Sequence, residues 1–410
     1  MGEDSSVIRS FAHRDFLAAF FVVVNSLSWY FPLFALVTEM VKVPNFEYFT
    51  VLALFGVHYA TVIASAFVGI LLVPRIMSRI GLLRLWMIVG VASTLLVSTI
   101  ETNNQIWLFS TVIALGISLG LGFPTCLAYF ADFGITAQKG RIGGLTYCIA
   151  GLGIFSIGLL TILTGTLLEN VAILAVWRLI GLLVFVIVQP HDAEPKREVE
   201  MSYRKILNDR SFLLYLVPWL MFGLVNYLEG PKLRSLNPEI FNLVPVAEFG
   251  VGSIVALVAG FFSDMIGRKR VVMFGFIMLG VGYAVLGLSP TNTVSLYFYV
   301  AVDGVAWGIL ALMFFLILWG ELAENRVKGK YYFLGVLPFL ISSYLEHIAA
   351  PFVLSINEYA AFSFASFFLF VAVIPLMYAP ETLPQKNIEL RRLRNYLESA
   401  RKLKDKYPEK

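Results

Sequence analysis

The sequence predicts an all-α membrane protein of twelve transmembrane helices arranged as two six-helix bundles. Three observations carry that expectation. Apolar residues make up 59% of the 410 and charged residues only 14%, where a soluble domain carries about 25% charged residues. Runs long enough to cross a bilayer recur twelve times. The polar turns of the first half return in the second at offsets of 186 to 189 residues.

A helix needs about 20 apolar residues to cross about 30 Å of hydrocarbon. In the first half such runs fall at 16–37, 49–73, 82–100, 106–130, 142–168 and 171–188. In the second they fall at 212–228, 244–262, 271–288, 294–318, 331–354 and 360–379. The first run is too long for the apolar region of a signal peptide, and no A-x-A site follows it. The longest polar interruption, "QPHDAEPKREVEMSYRKILNDR" at 189–210, divides the chain. The predicted units are therefore a bundle at 1–190, a linker at 191–210, a second bundle at 211–380 and a charged tail at 381–410.

Lys and Arg set the orientation. With the N-terminus inside, all but four of the 31 basic residues are cytoplasmic, the exceptions being Lys42, Arg178, Lys232 and Arg234. Both termini are then cytoplasmic, and a plasma-membrane location is expected. The net charge of +4 is no nucleic-acid signal, because the basic residues sit between apolar runs. Cys126 and Cys148 fall inside runs and read as packing residues, not as a disulfide framework. After Pro384, Leu390, Leu393, Leu397, Ala400 and Leu403 recur at helical spacing among Arg and Lys. That pattern predicts a basic amphipathic helix on the inner leaflet, or a partner-binding helix.

The repeat is visible residue by residue. "ADFGITAQKGRIGG" at 131–144 matches "GELAENRVKGKYYF" at 320–333: Asp132, Gly140 and Arg141 correspond to Glu321, Gly329 and Lys330. Gly116 and Gly120 correspond to Gly304 and Gly308. "PRIMSRIGLLR" at 74–84 matches "GFFSDMIGRKR" at 260–270, with Gly81 for Gly267 and Arg84 for Arg270, but with Ser78 where the second copy has Asp264. Two parallel six-helix repeats are a common plan for secondary transporters.

"GFFSDMIGRKR" resembles the G-x-x-x-D-x-x-G-R-[RK] signature of the major facilitator superfamily. "ELAENRVKG" at 321–329 and "PETLP" at 380–384 resemble segments of its sugar and metabolite porters. The seventh run lacks their paired glutamines, and the fifth lacks the Gly-Pro motif of many drug antiporters. The resemblance implies a cytoplasmic latch built from Gly260, Asp264, Gly267, Arg268, Lys269, Glu321 and Arg326, with Asp132 and Arg141 in the matching copy. An ordinary charged loop that sets topology is the competing reading. Gly144, Gly151, Gly158 and Gly165 recur every seven residues, which places them on one helix face for close approach. The resemblance makes that face a sliding contact with the eighth run.

Ionisable residues inside the membrane are functional by default, with structural pairing as the alternative. Glu248, Asp303 and Glu346 come out about 20–25 Å above the cytoplasmic end, and Glu229 slightly higher. His347 adjoins Glu346. In the first half Asn25 and Arg178 lie near the middle and His58 in the outer half, while Asn226 belongs to the seventh run. Carboxylates crowded in low dielectric cannot all ionise cheaply, which suits a proton carrier or a cation site. Glu346 is the favoured carrier, with Asp303 and His347 as neighbours or Arg178 as a fixed partner. Arg178 could instead hold an anionic substrate. His58 and His347 are too few and too scattered for a metal, and no cofactor or catalytic constellation is implied. The expected function is secondary active transport of a small solute by alternating access with proton coupling, in a lipid-embedded monomer without nucleic acid. A solute-binding sensor that does not transport is the rival.

Overall fold

The computed structural model describes residues 3–42, 46–73, 75–99, 104–133, 138–190, 201–323 and 326–383, with 3–13 and 42 as helical backbone only. The expected amphipathic tail helix and most of the linker lie outside these residues. Twelve helices are long and apolar enough to cross a membrane. The first bundle holds α1 (Arg14–Val41), α2 (Tyr48–Leu72), α3 (Arg79–Thr99), α4 (Gln105–Ala131), α5 (Lys139–Thr164) and α6 (Leu167–Val188). The second holds α7 (Arg210–Leu236), α8 (Pro238–Ile266), α9 (Arg268–Leu288), α10 (Thr293–Leu322), α11 (Lys328–Ser355) and α12 (Glu358–Tyr378). The chain is a multi-pass membrane protein.

Hydrocarbon offers the backbone no water, so each segment must satisfy its amides internally. Seven of the helices also begin with a capping side chain: Ser78, Asn104, Thr166, Asp209, Asn237, Asn292 and Asn357 each accept from an amide in the first turn. Such caps satisfy amides that the helix itself leaves open. Three helices are interrupted. In α4 the break falls at Leu121 and Gly122, just before Pro124, whose missing amide suits it to a helix start. In α8 a wide π-helical turn occupies Ala247–Val251, and α10 has a second at Leu312–Ile317. Such turns often accompany functional sites.

The distal ends of α7 and α8 run longer than the apolar runs 212–228 and 244–262. Glu229 reads as the outermost of the intramembrane carboxylates, and Lys232 and Arg234 lie past the end of the apolar run. In the structure α7 carries them on to Leu236. The Lys232 ammonium donates to the carbonyl oxygens of Leu354 and Ile356 at the end of α11, which gives the buried charge its hydrogen bonds.

An even number of crossings places Arg14 and Tyr378 on one face, here called basal; the other is distal. Within the first bundle α1 packs on α5 and α6, α2 on α4, and α3 on α6. Within the second, α7 packs on α11 and α12, and α9 on α10 and α12. Two helix pairs close the seam between bundles, α5 with α8 and α2 with α11.

The α5–α8 pair shows what the glycine spacing does and does not do. A Cβ on Gly144 would lie 2.7 Å from the Ala256 carbonyl oxygen, and one on Gly151 would collide with the Ser253 hydroxyl. These two permit backbone contact. Gly158 has nothing within 4 Å, because α5 and α8 diverge toward the distal face. Gly165 lies beyond the helix, where it ends α5 with φ +75°. The expected four-glycine contact is therefore a two-glycine contact, a turn and an open position. Cys126 and Cys148 are both buried and free.

A pair of substitutions separates these positions. Gly151→Leu should lower stability by about 1–3 kcal/mol, the cost of overpacking a filled contact. Gly158→Leu should stay within about 0.5 kcal/mol. Thermal unfolding of the two proteins in the same detergent measures the difference, and equal losses would contradict the divergence of the helices.

Candidate functional site

At the basal face α8 ends in a knot of charges. Asp264 and Arg268 are each 0% exposed. The Arg268 Nη1 donates to Asp264 Oδ1 at 2.6 Å, and its Nη2 donates to Glu321 Oε1 at 3.2 Å. Across the seam, the backbone amides of Gly140 and Arg141 donate to Asp264 at 2.9 and 3.0 Å. Those amides open α5, so the carboxylate sits at the positive end of a helix from the other bundle. A Cβ on Gly140 would fall 2.6 Å from the same carboxylate, so only glycine admits the approach.

The segment after α12 completes the knot. Glu381 accepts from the amides of Arg268 at 2.7 Å and Lys269 at 3.3 Å, capping α9. Its carboxylate occupies the space a side chain at Gly267 would need, and Gly267 has φ +106°. The Thr382 hydroxyl donates to Glu321 at 2.6 Å. The Lys269 ammonium donates to the carbonyl oxygens of Met377 and Ala379. Arg326, expected in this network, lies apart from it. It donates to Asp209 at 3.0 Å and to the Tyr331 hydroxyl, which with Asp209 holds its guanidinium above the ordinary value.

The matching copy in the first bundle is built differently. Ser78 accepts from the Gly81 amide and caps its own helix, α3. Asp132 instead pairs with Arg79 in its own bundle and with Lys328 across the seam.

Midway along the seam, rings from both bundles meet. Phe31 of α1 lies 5.3 Å from Phe249, 6.1 Å from Phe315 and 6.0 Å from Phe339, centroid to centroid. Tyr227 packs on Phe339 at 5.5 Å. A small apolar cavity between Tyr30, Phe123, Val336 and Leu340 has room for about one water molecule. Further toward the distal face, Phe55 of α2 stacks on the His347 ring at 3.7 Å, and the Tyr48 hydroxyl donates to the His347 carbonyl at 3.0 Å. The seam is thus closed at both ends, by ions basally and by rings distally.

The intramembrane carboxyls regroup relative to expectation. Asp303 faces Glu248, with the Tyr299 hydroxyl beside it. Gly304, the next residue of α10, packs directly on Ala247, the residue before Glu248. Asp303 is 0% exposed. Glu248 is half-buried and lies within the π-helical turn, next to Phe249. Glu346 is half-buried on α11 near Tyr59 and Tyr227. Glu229 lies one turn from Lys232, and its Oε2 has no partner.

The polar residues of the first bundle form a separate node. Arg178 is 0% exposed, with its guanidinium carbon 4.4 Å from the Trp29 ring centre and 4.3 Å from that of Trp86. It donates to Asn25 Oδ1 at 3.1 Å and to Ser26 Oγ at 2.9 Å. Asn25 in turn donates to the Trp177 carbonyl. Arg178 therefore meets two rings and two neutral groups, and Glu346 is not its partner. His58 bridges α2 to the Val112 carbonyl of α4 at 3.0 Å. Asn226 accepts from the Trp307 indole at 3.1 Å.

Sequence reading missed the aromatic seam, because Phe is common throughout the chain and helix rotation is not written in composition. It also missed the two π-helical turns. The one usable signal was Glu248 and Phe249 as adjacent unlike residues in an apolar run.

No family model matches the sequence, and no curated protein matches it. Solved structures match by fold. The major facilitator superfamily proton:xylose symporter XylE, bound to 6-bromo-6-deoxy-D-glucose, superposes with a TM-score of 0.66 at 14% identity, over 91% of this chain and 97% of its own. The human organic anion transporter MFSD10 superposes with a TM-score of 0.62 at 14% identity, over 89% and 99%. Likeness at this identity establishes the fold.

Asp264→Ala should lower stability by about 3–5 kcal/mol, because it leaves a buried guanidinium short of a partner. It should also separate the basal ends of α5 and α8. Thermal unfolding and spin-label distances across the basal face would record both, and an unchanged distance would deny Asp264 a part in holding the bundles together.

Proposed function

We propose that this chain, which has the major facilitator fold, is a secondary transporter that carries a small solute between its two bundles by alternating access, driven by protons. The observation that carries the reading is the seam. Its two ends are held by separate sets of side chains, with packed rings from both bundles and two facing carboxyls, one fully buried and one half-buried, between them. The shared fold with a proton:xylose symporter and an organic anion transporter supports it.

In this reading the basal knot and the Asp132–Lys328 pair close one end, and the α2–α11 rings close the other. Opening the basal end requires Asp264 to leave the amides of Gly140 and Arg141. Opening the distal end requires that Phe55 and Tyr48 part from His347 and that Gly56 and Tyr59 part from Tyr344. The basal face is cytoplasmic, as the distribution of Lys and Arg favours, and the chain acts in the plasma membrane as a monomer.

Proton coupling falls to Glu248 and Asp303. Two facing carboxyls, one fully buried and one half-buried, cannot both carry charge at low cost. The pair therefore holds a proton until something compensates its second charge. Glu248, half-buried beside the seam, exchanges with the solute path, and Asp303 stands behind it. Glu346 lies on the distal route and is the nearest further carboxyl along α11.

Purified protein in liposomes tests this. Glu248→Gln and Asp303→Asn should each abolish accumulation driven by a pH gradient, since each replacement keeps the shape and removes the titrating group, and Asp303→Asn should leave downhill exchange of solute. Accumulation retained in both would take these carboxyls out of the coupling.

A further inference from the structure

We infer that the seam binds an organic cation with an aromatic or aliphatic body. This rests on the transport reading above and adds the substrate class. Three features of the seam and its surroundings point to it.

The first is the chemistry of the wall. Phe31, Phe249, Phe315 and Phe339 meet across the seam within 5.3 to 6.1 Å. Ring faces attract cations and accept apolar bodies. They offer little to a sugar, which needs several hydrogen-bonding partners. The neutral amides that could supply them are engaged: Asn226 with Trp307, and Asn25 with Arg178 and Trp177.

The second is a pair of facing acids. Asp303 is fully buried and meets Glu248 and the Tyr299 hydroxyl. The hydroxyls of Tyr283 and Tyr299 lie 3.2 Å apart and bond to each other. Two facing carboxyls, one of them fully buried, are costly to ionise together unless a proton or another cation compensates them. Glu248 extends that acid to the seam, directly beside Phe249 on the same turn. A positive headgroup at Glu248 with its body among the rings satisfies both.

The third is the position of the positive charges. Arg178 is the fixed cation nearest mid-membrane, and it is sealed between Trp29 and Trp86. Lys232 is bound to carbonyl groups at the distal end of α7. Among the described residues neither reaches the rings, so an anionic solute would meet carboxyls and no compensating charge.

The test uses the full chain in lipid nanodiscs with three probes that share a benzyl group. Benzyltrimethylammonium is permanently charged, phenylacetate is an anion at neutral pH, and benzyl alcohol is neutral. Calorimetry should show saturable binding of benzyltrimethylammonium alone. Its affinity should fall as pH is lowered, by up to about tenfold per unit if one proton is displaced; the probe itself does not titrate. Glu248→Gln should weaken binding about tenfold or more, one unit of 1.4 kcal/mol per decade. Glu248→Asp, which keeps the charge, should retain most of it and guards against a folding defect. Equal or tighter binding of phenylacetate or benzyl alcohol would overturn the inference, as would unchanged affinity in Glu248→Gln. Cation binding without flux into liposomes would leave this inference standing and remove the transport reading. Flux of phenylacetate with no cation binding would do the reverse.

Discussion

The Asp264 carboxylate is the point on which the arrangement turns. It accepts from two amides of one bundle and from a guanidinium of the other. Four helix ends are fixed by that knot. α5 begins on it, α8 ends in it, α9 starts from Arg268, and α10 delivers Glu321 to the same guanidinium. Glu381 and Thr382, after α12, bring the chain back to cap α9 and to hold Glu321. Each charge in the set is compensated by another member, which is the condition under which ions persist out of water. Removing one would strand the rest, so the set is kept or released as a whole.

The two halves solve the same problem unequally. In the second half an acid reaches across the seam to a helix start. In the first, Ser78 occupies that place, is too short to cross, and caps its own helix. Asp132, the counterpart of Glu321, reaches Lys328 instead. Lys330, the counterpart of Arg141, donates to the Met201 carbonyl of the linker. One side of the seam is therefore tied by a buried carboxylate and the other by half-buried side chains nearer water. The buried tie is shielded from salt far better than the exposed one.

Much of the fold was legible in the sequence because lipid imposes a length rule. Twelve apolar runs became twelve helices, and the tight turn at Gly267, between the end of α8 and the start of α9, brought Asp264 and Arg268 together. What was illegible depended on rotation about helix axes. Asp303 and Glu346 lie at similar depth, yet α10 turns Asp303 toward α8 and Glu248. No periodicity announces this, since two π-helical turns reset the register near those residues. Lys232 read as lying past the span because charge ended the apolar run, whereas the carbonyl groups at the end of α11 let α7 continue. Arg178 looked like half of an ion pair. Its companions are two indole rings, whose attraction for a cation leaves no mark in the spacing of charges.

The π-helical turn at Ala247–Val251 has a mechanical corollary. Such a turn holds one residue more than an α-turn, and each residue of an α-helix accounts for about 100° of rotation and 1.5 Å of rise. Tightening that turn would swing Glu248 about a quarter of the way around α8. The carboxyl would leave Asp303 for another azimuth while the knot at the far end of the same helix stayed seated. A gear of this kind lets the middle of a rod change partners without either end having to slide.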